Sequence, residues 1–113
     1  MNIRNLSAPA LRKRRRKLLG ELPPLDRLLR GALTVTYKRC GRPTCHCRDG
    51  PGHGPKRYLV ISQPGGRPRR EYVPNAACEQ VAEWLGNFRR LRDTLNQICA
   101  LNAELLRRRE DLE

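Results

Sequence analysis

The chain has 113 residues and a mass of 13.0 kDa, with 24 Lys and Arg against 11 Asp and Glu, a net charge of +13 and a pI near 10.8. Hydrophobic residues make up 38% and aromatics 4%, enough for one small domain with appendages and too little for several independently packed domains. No apolar run reaches the ~20 residues of a spanning helix, so the expectation is a cytoplasmic chain with a polyanionic partner and no membrane. The charge is uneven. Residues 1–70 hold 18 Lys and Arg against Glu21, Asp26 and Asp49, a surplus of 15, whereas residues 71–113 hold six against eight, a deficit of two.

Residues 1–7 show no pattern and are expected to be disordered. Ser7 as N-cap, with Pro9 in the first turn, predicts a helix from there to Leu22, carrying leucines at 11, 18, 19 and 22 and an unbroken run of six cations: Arg12, Lys13, Arg14, Arg15, Arg16 and Lys17. Such a run is either a solvated arm or an arm that grips nucleic acid. Pro23 and Pro24 end it, and Pro24 opens a second short helix through Arg30, stopped by Gly31. Ala32 to Lys38 then alternates, Leu33, Val35 and Tyr37 against Thr34, Thr36 and Lys38, as a half-buried strand does. Lys56 to Gln63 is a second predicted strand, Gln63-Pro64-Gly65-Gly66 a type II turn, and Arg67 to Val73 a third strand whose Pro68 suits a sheet edge.

Between the first two strands lies Cys40-x4-Cys45-x-Cys47-x5-His53, in a stretch rich in glycine and proline and almost without apolar side chains. Three thiolates and one imidazole form the ligand set of a closed structural zinc site, where one tetrahedral ion replaces the core that such a loop cannot build. His46, lying between two cysteines, is the alternative fourth ligand. Four protein ligands leave no position for a water, which argues against catalytic zinc. The alternative is free or disulfide-bonded cysteines; an odd count of five, in a chain without a secretory signal, fits disulfides poorly.

From Asn75 onward the chain has no proline and one glycine, Gly86, and reads as a long helix with Asn75 as N-cap. A seven-residue repeat places Val81, Phe88 and Leu95 at a, then Trp84, Leu91, Ile98, Leu105 and Leu112 at d, with Asn102 at the fourth a position. One buried Asn at a fixes register in two-stranded coiled coils, so residues 81–112 are expected to form a parallel homodimer in which Asn102→Leu would raise stability. The competing arrangement is a helical hairpin against residues 8–30.

The residues Leu29-Arg30-Gly31-Ala32-Leu33, the segment CGRPTCHCRDGPGHGP, Tyr58-Leu59, and Tyr72-Val73-Pro74 ahead of the Trp84 helix together resemble a small bacterial family of unknown function, often encoded beside transposases on mobile elements. The resemblance spans roughly residues 28–106 and leaves the Arg12–Lys17 run outside it. It implies that the cysteines and His53 act as a unit, and it favours DNA as partner. Lys56 and Arg57 stand where that family tends to have aromatic residues.

The sequence reading is therefore an α+β protein with short N-terminal helices, a three-stranded antiparallel sheet carrying a Cys3His zinc loop, and a long coiled-coil-like helix. Its expected divisions are residues 1–24, a basic arm; 25–74, a zinc-loop β-domain; and 75–113, a dimerisation helix. The expected function is a zinc-stabilised nucleic-acid-binding accessory protein of a mobile element, with DNA favoured over RNA. Beyond the arm, phosphates would be held by Lys38, Arg39, Arg42, Arg48, Lys56, Arg57, Arg67, Arg69 and Arg70. The alternative is an interaction adaptor that docks a transposase. No paired-carboxylate or nucleophile–base constellation points to an enzyme.

Overall fold

The computed structural model describes residues 2–38 and 53–113, with Lys38 and His53 described by their backbone alone. The architecture is α+β: α1 (Ala8–Leu19), β1 (Ala32–Lys38), β2 (His53–Ile61), β3 (Arg69–Val73) and α2 (Cys78–Arg107). Two compact units divide it, Leu29–Leu85 and the pair of segments Met1–Leu28 and Gly86–Glu113. The expected zinc ligands Cys40, Cys45, Cys47 and the His53 side chain, together with the expected phosphate contacts Arg39, Arg42, Arg48 and the Lys38 side chain, lie outside the described residues.

In the unit Leu29–Leu85 the strands lie in the order β1-β2-β3, antiparallel throughout. β1 pairs with β2 from Ala32↔Val60 to Lys38↔His53, with an irregularity between Thr36 and Lys38. β3 pairs with β2 from Arg57↔Val73 to Ile61↔Arg69. β1 has its expected bounds. β3 starts later than expected, after Pro68, which cannot donate to a ladder. The Gln63–Gly66 turn closes by the Gly66 amide donating to the Gln63 carbonyl at 3.3 Å, with Gly65 at φ +69° as a type II turn requires. Leu59, Val73 and Leu85 form the core, and Leu29, Leu33, Ile61 and Val81 pack around it.

The expected helix between Pro24 and Arg30 is a single turn, in which the Arg27 amide donates to the Pro24 carbonyl. Beyond the turn the Leu29 amide donates to the Trp84 carbonyl at 3.2 Å, and Leu29 packs against the sheet core. Gly31 follows at φ +141°, and a Cβ there would stand 2.6 Å from the Val60 carbonyl oxygen. Only glycine fits that approach.

In the other unit Ser7 caps α1, its Oγ accepting from the Ala10 amide at 3.2 Å, with proline in the first turn. α1 ends at Leu19, not Leu22, because Gly20 follows and Pro23 disfavours a helical Leu22. Leu11 and Leu18 of α1 pack against Leu101 and Leu105 of α2, joined by Ile3, Leu6 and Ile98. Each fully buried leucine contributes roughly 2 kcal/mol over an exposed one. The helical hairpin, the competing arrangement in the sequence reading, thus covers this part of α2 within the chain. The first residues are also ordered, contrary to expectation: Ile3–Asn5 form a 3-10 turn, held because the Arg108 guanidinium donates to the carbonyls of Ile3, Arg4 and Leu6.

α2 is preceded by a 3-10 turn over Asn75–Ala77, and Asn75 does not cap it; its Oδ1 accepts from Arg57 Nη1 at 3.2 Å. At the other end the Glu110 amide donates to Leu105 and the Arg109 amide to Leu106, with Arg109 at φ 59°. That is a Schellman closure, built on an arginine where glycine is usual. It stops the helix five residues short of Leu112, giving a length of about 45 Å.

Inside this closure Glu104 is buried and accepts from Arg107 and Arg108. The Arg107 hydrogen bond, aided by Arg108 against the cost of burial, holds its carboxyl down at about 2. A carboxylate with a folded value below its unfolded one stabilises the fold above the ordinary carboxylate range and loses that contribution as pH falls. Urea unfolding should therefore show a loss of stability between about pH 5 and 2 that is smaller in Glu104→Gln; identical pH profiles for the two proteins would contradict the role given to Glu104.

Candidate nucleic-acid interface

The period of two along each strand, combined with the pairing register, sorts the sheet into two faces. Leu33, Leu59, Ile61 and Val73 lie on the packed face, which β3 extends outward with Arg69 and Glu71. Thr34 and Thr36 of β1, Lys56, Tyr58 and Val60 of β2, and Arg70 and Tyr72 of β3 lie on the other face. Tyr58 and Tyr72 are direct cross-strand partners, ring centroids 5.8 Å apart at 69°, and the Arg70 guanidinium carbon sits 4.3 Å above the Tyr58 ring. Lys56, Arg70 and Tyr72 are exposed, Tyr72 at 57%. This open face therefore combines π surface with positive charge.

The remaining expected cations of this unit fall elsewhere. Arg67 is exposed beside the turn, Arg69 pairs with Glu71 on the packed-face side, and Arg57 donates to Asn75.

The six-cation run is an ordered helix with its charges divided by helical geometry. Arg12 and Arg15, one turn apart on the flank next to the leucines, turn toward the C-terminal residues of the chain. Arg12 Nη2 donates to the Asp111 carbonyl at 2.6 Å; Arg15 Nη1 donates to the Leu112 carbonyl at 2.6 Å and to Asn102 Oδ1 at 2.7 Å. Asn102, the expected seam residue of a dimer, thus has a partner within its own chain. Lys13, Arg16 and Lys17 are exposed, and Arg14 is half-buried. Lys13, Arg14 and Lys17 line an open groove of about 350 Å³ together with Leu6 and Ala10. A smaller cleft of about 110 Å³ also meets Arg14 and Lys17, but the Glu21 carboxylate in its wall opposes an anion there.

Among the described residues no group of His, Cys, Asp and Glu could hold a metal ion. Cys78 is half-buried, its thiol donating to the Pro74 carbonyl at 3.4 Å, and Cys99 is exposed; both are free. Sequence reasoning placed Tyr58 and Tyr72 in a resemblance and missed their common face. Their even spacing from Thr34, Val60 and Arg70 was the available signal, but the cross-strand register needed to align it comes only with the fold.

Fold and site define a small basic α+β protein whose three-stranded sheet has one packed face and one open, cationic, tyrosine-bearing face. The chain belongs to a family described as a domain of unknown function, DUF6788, whose family model matches residues 9–83. That span starts earlier than the resemblance suggested and takes in the Arg12–Lys17 run, while most of α2 lies beyond it. No curated protein and no solved structure matches the chain.

The Arg15–Asn102 contact reverses the sign of a substitution. In a coiled coil Asn102→Leu would stabilise, whereas here it strips an acceptor from a half-buried guanidinium and should lower stability by about 1 kcal/mol. Denaturant titration of the variant decides between the two arrangements.

Proposed function

We propose that this chain is a zinc-stabilised nucleic-acid-binding protein, with DNA as the favoured partner, acting as an accessory or regulatory factor of a mobile genetic element. The observation that carries the reading is the surplus of 15 positive charges over residues 1–70, from which Lys13, Arg16, Lys17, Lys56, Arg67 and Arg70 are exposed. A field of one sign on so short a segment attracts a polyanion, and contacts to phosphates need no base specificity. Cys40, Cys45, Cys47 and His53 would hold one structural zinc ion, on the strength of ligand type and spacing; β1 and β2 converge on that loop, Lys38 pairing with His53. The reading is non-enzymatic.

Self-association through residues 81–112 belongs to the proposal in altered form. Ile98, Leu101 and Leu105 are taken up by α1, so a homodimer would use the exposed Leu95, Cys99 and Leu106 instead. An adaptor that docks a transposase is the second reading, and the same exposed stripe favours it.

Two measurements test this function. With Arg12 and Arg15 engaged in the fold, the three exposed cations of α1 give a slope of log affinity against log salt of about −3 on duplex DNA from this segment. Replacing Lys13, Arg16 and Lys17 together by alanine should flatten the slope by that amount and weaken all sequences alike; salt-independent affinity, or no binding at low salt, would leave the adaptor reading in first place. Elemental analysis should find one zinc per chain, lost in Cys45→Ser together with thermal stability. A metal-free protein that melts at the same temperature would reject the zinc site.

A further inference from the structure

The open face of the sheet carries more than positive charge. An antiparallel sheet packed on one side ordinarily presents short polar side chains to water on the other, yet here two tyrosines stand side by side, Tyr58 on the central strand and Tyr72 on the edge strand β3, with Lys56 and Arg70 on the same face. The threonines of β1 are turned down onto the sheet, Thr34 Oγ1 donating to the Tyr58 carbonyl at 3.2 Å and Thr36 Oγ1 to the Lys56 carbonyl at 3.4 Å. Beside them, Tyr72 stands 57% exposed. The strand residues described on this face include no acid; Glu71 projects to the opposite side, paired with Arg69.

Resting on the nucleic-acid reading above, we infer that this face binds a single-stranded nucleic acid by stacking unpaired bases on Tyr72 and on the Arg70–Tyr58 pair, with Lys56 on the adjoining phosphate. Exposed aromatic rings within a basic surface are how sequence-tolerant single-strand binders hold their ligands, because every base has a π face. Arg70 already lies over Tyr58 at 4.3 Å, which leaves the outer plane of the guanidinium for a base and its edge N–H groups for phosphate oxygens. The two rings stand at 69° to each other, so they take bases in different orientations. An unpaired strand can splay its bases to meet them, whereas a duplex keeps its bases stacked and offers only its backbone. The positive charge of the face favours a polyanion over a neutral protein surface.

The test compares the full-length protein with Tyr72→Thr, a residue suited to a strand but lacking a ring, and with Tyr72→Phe, which keeps the ring. Fluorescence anisotropy measures binding to a short mixed-sequence single-stranded DNA and to the matching duplex at several salt concentrations. Wild-type protein should bind the single strand more tightly than the duplex. Tyr72→Thr should weaken the single strand about tenfold while leaving duplex affinity and the salt slope unchanged, and Tyr72→Phe should restore binding. Arg70→Lys, which keeps the charge and loses the plane, should weaken the single strand and spare the duplex, a readout available even if Tyr72→Thr unfolds. Equal single-strand affinity in wild type, Tyr72→Thr and Arg70→Lys would overturn the stacking site and leave the phosphate-binding function standing. Absence of binding to either DNA form by wild-type protein would overturn both.

Discussion

A shortage of apolar side chains constrains everything else in this molecule. Among the described residues seven hydrophobic side chains are buried, and they are split between two cores: Leu59, Val73 and Leu85 in one unit, Leu11, Leu18, Leu101 and Leu105 in the other. Cores this small leave chain ends unsecured, and the end segments here are fastened by arginine. Arg108 reaches three carbonyls near the N-terminus, while Arg12 and Arg15 reach carbonyls of Asp111 and Leu112. A guanidinium suits this task because its planar fork donates to several acceptors at once while keeping its charge.

The basic residues consequently fall into two populations that composition alone cannot separate. Arg12, Arg15, Arg57, Arg69, Arg107 and Arg108 meet oxygen acceptors inside the chain, Arg69 and Arg107 while remaining exposed, whereas Lys13, Arg16, Lys17, Lys56, Arg67 and Arg70 are exposed without a hydrogen-bonded oxygen of this kind. Of these, Lys56 and Arg70 share a face of the sheet with Tyr58 and Tyr72, and further exposed arginines, Arg89, Arg90 and Arg92, lie on α2. Counting every cation as a phosphate contact overstates the expected salt dependence by the number that the fold consumes.

Much of the fold was legible in the sequence where the signal is local. β1 kept its predicted bounds because strict alternation ends at glycine on one side and at the cysteine loop on the other, and Ser7 and Gly65 each performed the task their chemistry specifies. Long-range partners were not legible. The heptad pattern of α2 is compatible with a second copy or with α1; within the chain Leu101 and Leu105 are buried against α1 with Ile98 beside them, while Leu95, an expected seam residue, is 49% exposed. Leu29 likewise left its predicted helix for a backbone bond to Trp84, 55 positions along the chain. The site was half legible: its charge showed in composition, but its tyrosine pair is created by the register of β2 and β3.

The central claim is that the exposed cations of α1 and the open face of the sheet each bind nucleic acid. Backbone amide chemical-shift mapping by NMR, on adding a single-stranded oligonucleotide to the full-length protein, tests it most directly because it locates contact without altering a residue. The account predicts the largest changes at Lys56, Tyr58, Arg70 and Tyr72 and along Lys13 to Lys17, with Arg69 and Glu71 little affected. Changes concentrated on Leu95, Cys99 and Leu106, or none at saturating oligonucleotide, would contradict it.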